Sequence, residues 1–259
     1  MENLGASVGW GAVIGASLVA GALVATLVRL PERVAATVTA FGGGVLFAAI
    51  ALELVPEADR EAGAALTAIG LLGGTVAYVA IDAWLNRNEM RREMRQAAHA
   101  AAAGRSMEMP AMSSEDRAEV ARGESIAAGL FVDGVPESLA LGLTIAEGEV
   151  GVALLAGIVV GNVVEAYGSA QPLIAGGATK RFAVVLLALI GVSLAAATVV
   201  GGTVLAEASP EFIGTAQAVA AGAVLAVVTI AIVPHAFSEV SGMVAFATVV
   251  GFVGGYLLS

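Results

Sequence analysis

The sequence predicts an all-α membrane protein with eight transmembrane helices, and three observations support this fold class. Of its 259 residues, 58% are hydrophobic and 13% are charged, whereas a soluble domain carries about 25% charged residues. The mean hydropathy is +0.90. Several apolar runs exceed ~18 residues, the length at which a helix can cross a bilayer. A very alanine-rich soluble helical protein is the alternative that these values disfavour.

Turn-forming segments divide the chain into its predicted spans. The N-terminal MENLGASVGW lacks the basic segment of a signal peptide, so we expect the first span to be retained. The predicted spans are 8–29, 34–55, 64–86, 124–146, 150–175, 181–206, 212–235 and 238–258. The connections between them are RLPER, LVPEADREAG, the long polar segment 87–123, AEGEVG, GGATKR, AEASPEF and SEVSG.

Basic residues predict the orientation, because cytoplasmic loops carry an excess of Lys and Arg. Of the 12 basic residues, Arg60 alone falls on an even-numbered connection, so the other 11 lie on odd-numbered ones. We therefore expect an integral protein of a prokaryotic plasma membrane, with both termini outside. We expect a single transmembrane domain, 1–259, with 87–123 as a cytoplasmic loop. That loop contains His99 and several Met residues, and either handles metal or is a solvated basic linker.

A short internal match suggests a repeat. Gly44 is followed by VPEA at 55–58, and Gly222 is followed at the same spacing by VPHA at 233–236. The two segments belong to spans two and seven, which run in opposite directions in the predicted topology. The match predicts an inverted repeat of spans 1–3 and 6–8 around spans 4–5, as many transporters have.

Carboxylates lie inside two adjacent predicted spans. Asp133 and Glu137 are four residues apart and share a face of span four. Asp133 is nine residues from Glu124, or ~13–14 Å along a helix, which is close to half of a ~30 Å hydrocarbon core. Span five carries Asn162 and Glu165 on one face. The sequence therefore predicts a polar site near the bilayer centre.

Such carboxylates need a compensating partner. One ionised side chain at the bilayer centre costs at least ~2.5–3.5 kcal/mol, and three together also repel each other. They can be protonated, paired with Lys or Arg, or bound to a cation. No Lys or Arg lies in the core of a predicted span, so we expect no such pair, which leaves protons or a cation. Pro136 frees a backbone carbonyl, which either marks a kink or adds a ligand.

The segments FVDGVPES (131–138) and GNVVEA (161–166) resemble the span-four and span-five motifs of the ZIP (Zrt/Irt-like) family of divalent metal transporters. The resemblance covers nearly the whole chain, including ALELVPEA (51–58) at the end of span two. Members have eight spans, outward termini and a long cytoplasmic loop between spans three and four. The resemblance implies that Glu137 and Glu165 bridge bound metal.

The chain departs from the family motifs at four positions. Asp133 and Gly134 stand where the span-four motif has histidine and asparagine, and Gly161 and Val164 stand where the span-five motif has histidine and proline. The resemblance then implies one metal site made by Asp133 with the two glutamates. A second site would consist of Asn162 and the same glutamates.

The predicted function is secondary transport of a divalent cation of the Zn, Fe or Mn class, without enzymatic activity. The expected partners are that cation and the bilayer, with a homodimer left open and nucleic acid not expected. Alternatives are proton-driven transport of another solute, a transport-inactive metal sensor, and an intramembrane enzyme, for which no known motif is present. Further pathway candidates, which are otherwise simply polar or solvated groups, are Glu53, Ser169, Gln171, His235 and Glu239. Asp82 is expected to be solvated at the inner interface.

Overall fold

The computed structural model describes residues 2–85, 89–102, 124–148, 150–232 and 241–259. Within these ranges the chain is almost entirely helical and contains no strand. The α-helices are α1 (Glu2–Leu27), α2 (Glu32–Ala49), α3 (Val55–Leu85), α4 (Glu89–Ala102), α5 (Glu124–Ala146), α6 (Val152–Ala175), α7 (Lys180–Thr203), α8 (Pro210–Val227) and α9 (Ser241–Leu258). Two π-helical turns, Ile50–Leu54 and Val228–Ile232, extend α2 and α8.

Six helical segments of the described chain are long and apolar enough to cross a membrane. They are Asn3–Leu27, Arg33–Leu85, Ala127–Ala146, Val152–Ala175, Lys180–Thr203 and Pro210–Ile230, and Gly242–Leu258 is a shorter apolar helix. These segments confirm the predicted class, an all-α membrane protein. The longest segment is interrupted at Gly63, where φ is 77° and ψ is 158°, a backbone conformation that essentially requires glycine. The count of eight spans stays a prediction.

The helices contact one another in two groups. In the first group α3 packs against α8 and α2 packs against α9. In the second group α7 packs against α1 and α5, and α1 also packs against α6. The main contact between the groups is that of α6 with α2, followed by that of α5 with α8. The carboxylate-bearing helices α5 and α6 thus belong to one group and face the other.

Close glycine contacts recur in the two halves of the chain. Gly15 of α1 and Gly191 of α7 face each other, so that a Cβ built on either would lie within 3.0 Å of the other's carbonyl oxygen. A Cβ on Gly44 would lie 2.0 Å from the Thr248 carbonyl oxygen, and one on Gly222 would lie 2.1 Å from that of Leu71. The backbone of α2 therefore approaches that of α9 closely at Gly44. The backbone of α8 approaches that of α3 equally closely at Gly222.

The match extends beyond these glycines. Three residues before Gly44, the carbonyl of Phe41 would be 2.1 Å from a Cβ on Gly251. Three residues before Gly222, the carbonyl of Val219 would be 1.9 Å from a Cβ on Gly74. Each π-helical turn begins six residues after Gly44 or Gly222. The widened turns and the close contacts thus occupy the same relative positions in both halves.

Three hydrogen bonds link the two ends of α1 to other segments of the chain. The Asn3 side chain donates to the carbonyl of Ala146 at 3.4 Å. At the opposite end of α1, the Lys180 ammonium donates to the carbonyl of Thr26 at 2.7 Å, and the Leu30 N–H donates to the Tyr167 hydroxyl at 2.9 Å. We call the end with Asn3 and Ala146 the acidic end, and the end with Thr26 and Lys180 the basic end.

Helix α4 corrects the interpretation of 89–102 as solvated linker. Met94 and Arg95 are only 1% and 6% exposed, and α4 packs against α6. The Thr39 hydroxyl donates to the carbonyl of Ala102 at 2.9 Å. A row of small alanines beside Met94 gives α4 an apolar face, and this face packs into the helices from the basic end. The Met residues of 103–123 lie outside the described residues.

Candidate metal site

The structure brings together the carboxylates that the sequence places in spans four and five. On α5, Asp133 and Glu137 are 3% and 4% exposed. On α6, Glu165 is partly buried, one turn after the buried Asn162. Glu137 lies within electrostatic range of both Glu165 and Asp133. The shared faces that helical periodicity predicts therefore do meet between these two helices.

Asp133 is held by two neighbours. The Tyr78 hydroxyl donates to its Oδ1 at 2.7 Å, and Nη2 of Arg95 donates to the same oxygen at 3.3 Å. The prediction that no basic side chain pairs with the buried carboxylates is therefore wrong. It considered only residues inside the predicted spans, whereas Arg95 reaches Asp133 from α4, and a long arginine side chain can bury its stem while its charged head pairs elsewhere.

Arg95 also joins α4 to α3. Its Nη1 donates a short hydrogen bond to Asp82, so the expectation that Asp82 is merely solvated is wrong. Burial alone would lower the pKa of Arg95, but Asp133 and Asp82 together raise it above its ordinary value. Tyr78, which the sequence analysis missed, lies one helical turn before Asp82 on the same face of α3. That spacing of two polar residues in an apolar span was the available signal.

A small cavity lies beside this ion pair. It has a volume of about 20 Å³, and its polar lining comes from Arg95, His99, Asp133, Glu165 and Ser169. A cavity of that size holds about one water molecule. Of the pathway candidates, Ser169 thus lies at the site. Gln171 does not, because its amide donates to the carbonyl of Ala25 on α1 at 3.4 Å.

The described side chains offer a metal ion few ligands at this site. Within the described ranges, no group of three His, Asp or Glu side chains lies close enough to hold one. Asp133 is engaged by Arg95 and Tyr78, which leaves Glu137 and Glu165 as the carboxylates offered to an ion. In this state the site supplies fewer ligands than the four to six that transition-metal ions usually take in proteins.

Two of the positions that depart from the family motifs differ in the space around them. A Cβ on Gly134 would lie 2.6 Å from the Leu194 side chain, so leucine fills the room that a larger residue would need. A Cβ on Gly161 would have no atom within 4 Å outside its own neighbourhood in the helix. Next to it, the side-chain nitrogen of Asn162 is buried without a hydrogen-bond partner in the described structure. Position 161 is therefore empty space beside a polar site.

A second and much larger cavity opens at the acidic end. Its volume is about 750 Å³, and its charged lining consists of Glu53, Glu57, Arg60 and Glu147. The Glu57 carboxylate pairs with Arg60 at 2.6 Å. Glu147, which the sequence analysis did not single out, accepts from the Gln217 amide at 2.8 Å. Partial burial raises the pKa of Glu147 to about 7, against the opposing effect of that hydrogen bond.

Glu53 has a structural role at this end. Its two carboxylate oxygens accept the N–H groups of Ala153 and Leu154, each at 3.3 Å. These groups belong to the first turn of α6, where a carboxylate is favoured by the unpaired N–H groups and the helix dipole. Glu53 thus links the π-helical turn after α2 to α6. The remaining pathway candidates, His235 and Glu239, lie outside the described residues.

Comparison with known proteins adds no relative. Neither the models of known protein families nor the characterised proteins compared with this chain gave a match. The helices and their apolar lengths define the class, an α-helical membrane protein.

Proposed function

We propose that this protein is a secondary transporter of a divalent metal cation of the Zn, Fe or Mn class and a member of the ZIP family. The observation that carries the proposal is the meeting of Asp133, Glu137 and Glu165 inside long apolar helices. Buried charges in a membrane are rarely tolerated unless they serve a function. Carboxylate oxygens bind divalent ions of this class, with the harder Mn²⁺ suiting them best.

The surroundings of the site support transport over permanent binding. A wide acidic cavity lies at one end of the helices and a small polar cavity adjoins the carboxylates towards the other. In the proposed topology the acidic end faces outward, both termini lie outside, and α4 belongs to the cytoplasmic loop. The large cavity then gathers cations from outside, because an acidic cleft raises the local concentration of cations.

The matching glycine contacts support eight spans built as an inverted repeat. Gly63 divides the longest apolar segment in two, and with the shorter C-terminal helix this gives eight spans. The contact of α2 with α9 is repeated by that of α8 with α3, while α1 and α7 meet at Gly15 and Gly191. Corresponding helices are five spans apart, an odd number, so they run in opposite directions. Inverted repeats of this kind place a binding site at their interface.

Proton-driven transport of another solute is the second candidate. It is favoured by the pairing of Asp133 with Arg95, which compensates one carboxylate without a metal, and by the lack of a three-carboxylate metal group in the described structure. In that mechanism Glu137 and Glu165 carry protons. Metal binding distinguishes the two candidates directly.

The experiment is isothermal titration of the purified protein with Zn²⁺, Mn²⁺ and Fe²⁺, followed by uptake of the bound ion into proteoliposomes. We expect wild type to bind and transport at least one ion, and Glu137→Gln to lose both activities, because the amide gives up the negative charge. Glu211→Gln is the matched control, since Glu211 is exposed at the start of α8. Unchanged affinity in Glu137→Gln would place the metal elsewhere, and no binding by wild type would favour the proton-driven candidate.

A further inference from the structure

Arg95 stands in the candidate site as a cation supplied by the chain itself. We propose that Arg95 occupies Asp133 whenever no metal is bound, and that a divalent ion acquires Asp133 as a ligand only after Arg95 has left it. The inference rests on the proposed metal transport and names the residue that decides which cations gain access. Arg95 acts here as a specificity-determining residue and makes no contact with the ion.

Arg95 and a divalent ion compete for the negative charge of Asp133. Arg95 and Asp133 have side chains that are 7% and 3% exposed, so their pairing takes place out of water. The same Oδ1 of Asp133 accepts from both Arg95 and Tyr78. A divalent ion on that carboxylate would place two positive groups side by side in a poorly screened interior, where like charges repel strongly. Each of the two cations therefore weakens the binding of the other to Asp133.

The absence of a three-carboxylate metal group in the described chain is what this competition predicts. With Arg95 in place, Asp133 is turned to α3 and α4, and the site offers only the two glutamates. Withdrawal of Arg95 would free Asp133 to join Glu137, from which it is one helical turn away on α5. The third carboxylate ligand, Asp133, then becomes available when the ion replaces the guanidinium.

Arg95 is also incompletely satisfied where it lies. A guanidinium has five N–H donors, and Nε of Arg95 is buried without a hydrogen-bond partner in the described structure. A buried donor that lacks a partner weakens the hold of the site on the arginine. The arginine lies on α4, which meets α6 at Ala98, Ala102 and Gly168, where only small groups separate the two backbones.

The exchange explains how monovalent ions would be rejected. Na⁺ or K⁺ carries the same charge as Arg95 but none of its directed hydrogen bonds, so it cannot replace the guanidinium favourably. A divalent ion brings twice the charge. The site then discriminates between cations because an ion must bind Asp133 more strongly than Arg95 does before it can replace Arg95. This requirement excludes weakly binding ions.

The test is titration of wild type, Arg95→Gln, Arg95→Lys and Arg181→Gln with Mn²⁺ and Zn²⁺. We expect Arg95→Gln to bind at least about tenfold more tightly, since a hydrogen bond to a charged group is worth about one such factor or more. Arg95→Lys keeps the charge but loses the planar fork whose two nitrogens bridge Asp82 and Asp133, so its affinity should lie between the two. Arg181 is exposed at the basic end, and Arg181→Gln should bind as wild type does. Equal or weaker binding by Arg95→Gln overturns the inference.

A second measurement does not depend on removing the arginine. The chain contains no cysteine, so Ala98→Cys introduces a single thiol on α4 beside the small cavity, at a position only 7% exposed. Saturating Mn²⁺ should accelerate its alkylation several-fold if Arg95 and α4 leave the site, and should not do so in the Glu137→Gln background. An unchanged rate overturns the inference.

The outcomes separate this inference from the proposed function. Metal binding that is lost in Glu137→Gln but unchanged in Arg95→Gln leaves the transporter proposal standing and removes the role of Arg95. Absence of Mn²⁺ and Zn²⁺ binding in wild type and in Arg95→Gln alike removes both. Binding that appears only in Arg95→Gln would overturn the exchange, because the ion then never displaces the arginine of the wild-type protein.

Discussion

The cavity at the acidic end and the cavity beside the candidate site differ in size, in charge and in how far side chains fill them. The cavity at the acidic end measures about 750 Å³ and is lined by three glutamates with one arginine. The cavity beside Asp133 measures about 20 Å³ and contains the buried guanidinium of Arg95. The acidic end therefore has a wide, negatively charged cavity. The region beside Asp133 is filled by α4 and by the guanidinium of Arg95. We call the acidic end the open side of the molecule and the end beside Asp133 the closed side.

The largest effect on stability should come from breaking the ion pair between Arg95 and Asp133 on the closed side. Asp133→Asn removes the buried partner of Arg95, and loss of one member of a buried pair destabilises a protein by about 3–5 kcal/mol. Because Asp82 still pairs with Arg95, we expect a loss near the lower limit, about 3 kcal/mol, in denaturant unfolding in detergent.

Two further variants make that measurement specific. Asp59→Asn alters an exposed carboxylate near the acidic end and should change stability by no more than about 0.5 kcal/mol. The double variant Asp133→Asn with Arg95→Gln should recover part of the loss, because the arginine no longer needs its partner. An Asp133→Asn protein as stable as wild type would show that the ion pair does not hold this side closed.

A smaller effect should follow from filling the empty position in the site itself. Gly161→His places an imidazole four residues before Glu165, on the same face of α6, where a side chain meets no neighbour within 4 Å. We expect Zn²⁺ affinity to rise about tenfold, since imidazole is a preferred ligand of zinc.

Gly161→Ala is the control for this gain. It should leave Zn²⁺ affinity unchanged and increase stability by about 0.5–1 kcal/mol, the usual benefit of alanine over glycine within a helix. A Zn²⁺ affinity that falls or stays the same in Gly161→His would mean that position 161 does not face the bound ion.

The smallest effect on stability should come from Glu147, which lines the cavity on the open side. The pKa of Glu147 is raised to about 7, so its protonated form is favoured by folding. Its contribution to stability is fully present below pH ~4.5, the ordinary range of glutamate, and is lost as pH rises through about 7. We expect less than about 1 kcal/mol, because Glu147 is partly exposed and screened.

Unfolding free energies of wild type and Glu147→Gln measured from pH 4 to pH 8 test this sign. The difference between the two proteins should shift in favour of Glu147→Gln as pH rises. A shift in the opposite direction would mean that Glu147 is stabilised in its ionised form, and that the acidic cavity already holds compensating positive charge.

The sequence predicted helix positions well because apolar runs end where glycine, proline and charge begin. The predicted span 124–146 coincides with Glu124–Ala146, and 150–175 differs from Val152–Ala175 by two residues at one end. The carboxylate faces of α5 and α6 followed from helical periodicity alone. Helix ends and helix faces are both local properties, so they can be predicted directly from the sequence.

What the sequence could not supply depends on contacts between distant segments. Arg95 lies on a polar connection, and nothing local shows that α4 turns its alanine face into the bundle. The sequence alone does not show whether Glu53 lies on a cation pathway or accepts hydrogen bonds from the N-terminus of α6, which is 100 residues away in the chain. The empty space at Gly161 and the leucine beside Gly134 likewise follow from packing between helices.

The pairing of Arg95 with Asp133 also has an electrical consequence. Moving one elementary charge across the membrane is worth about 2.3 kcal/mol per 100 mV, so a divalent ion entering an empty site would feel about 4.6 kcal/mol across the full field. Where the departure of Arg95 accompanies arrival of the ion, the charge of the site changes by one unit instead of two. An ion that enters from the acidic end and an arginine that withdraws towards the basic end move positive charge in the same direction, so their electrical work adds. The arginine would then serve as a gating charge that increases the voltage dependence of the binding step.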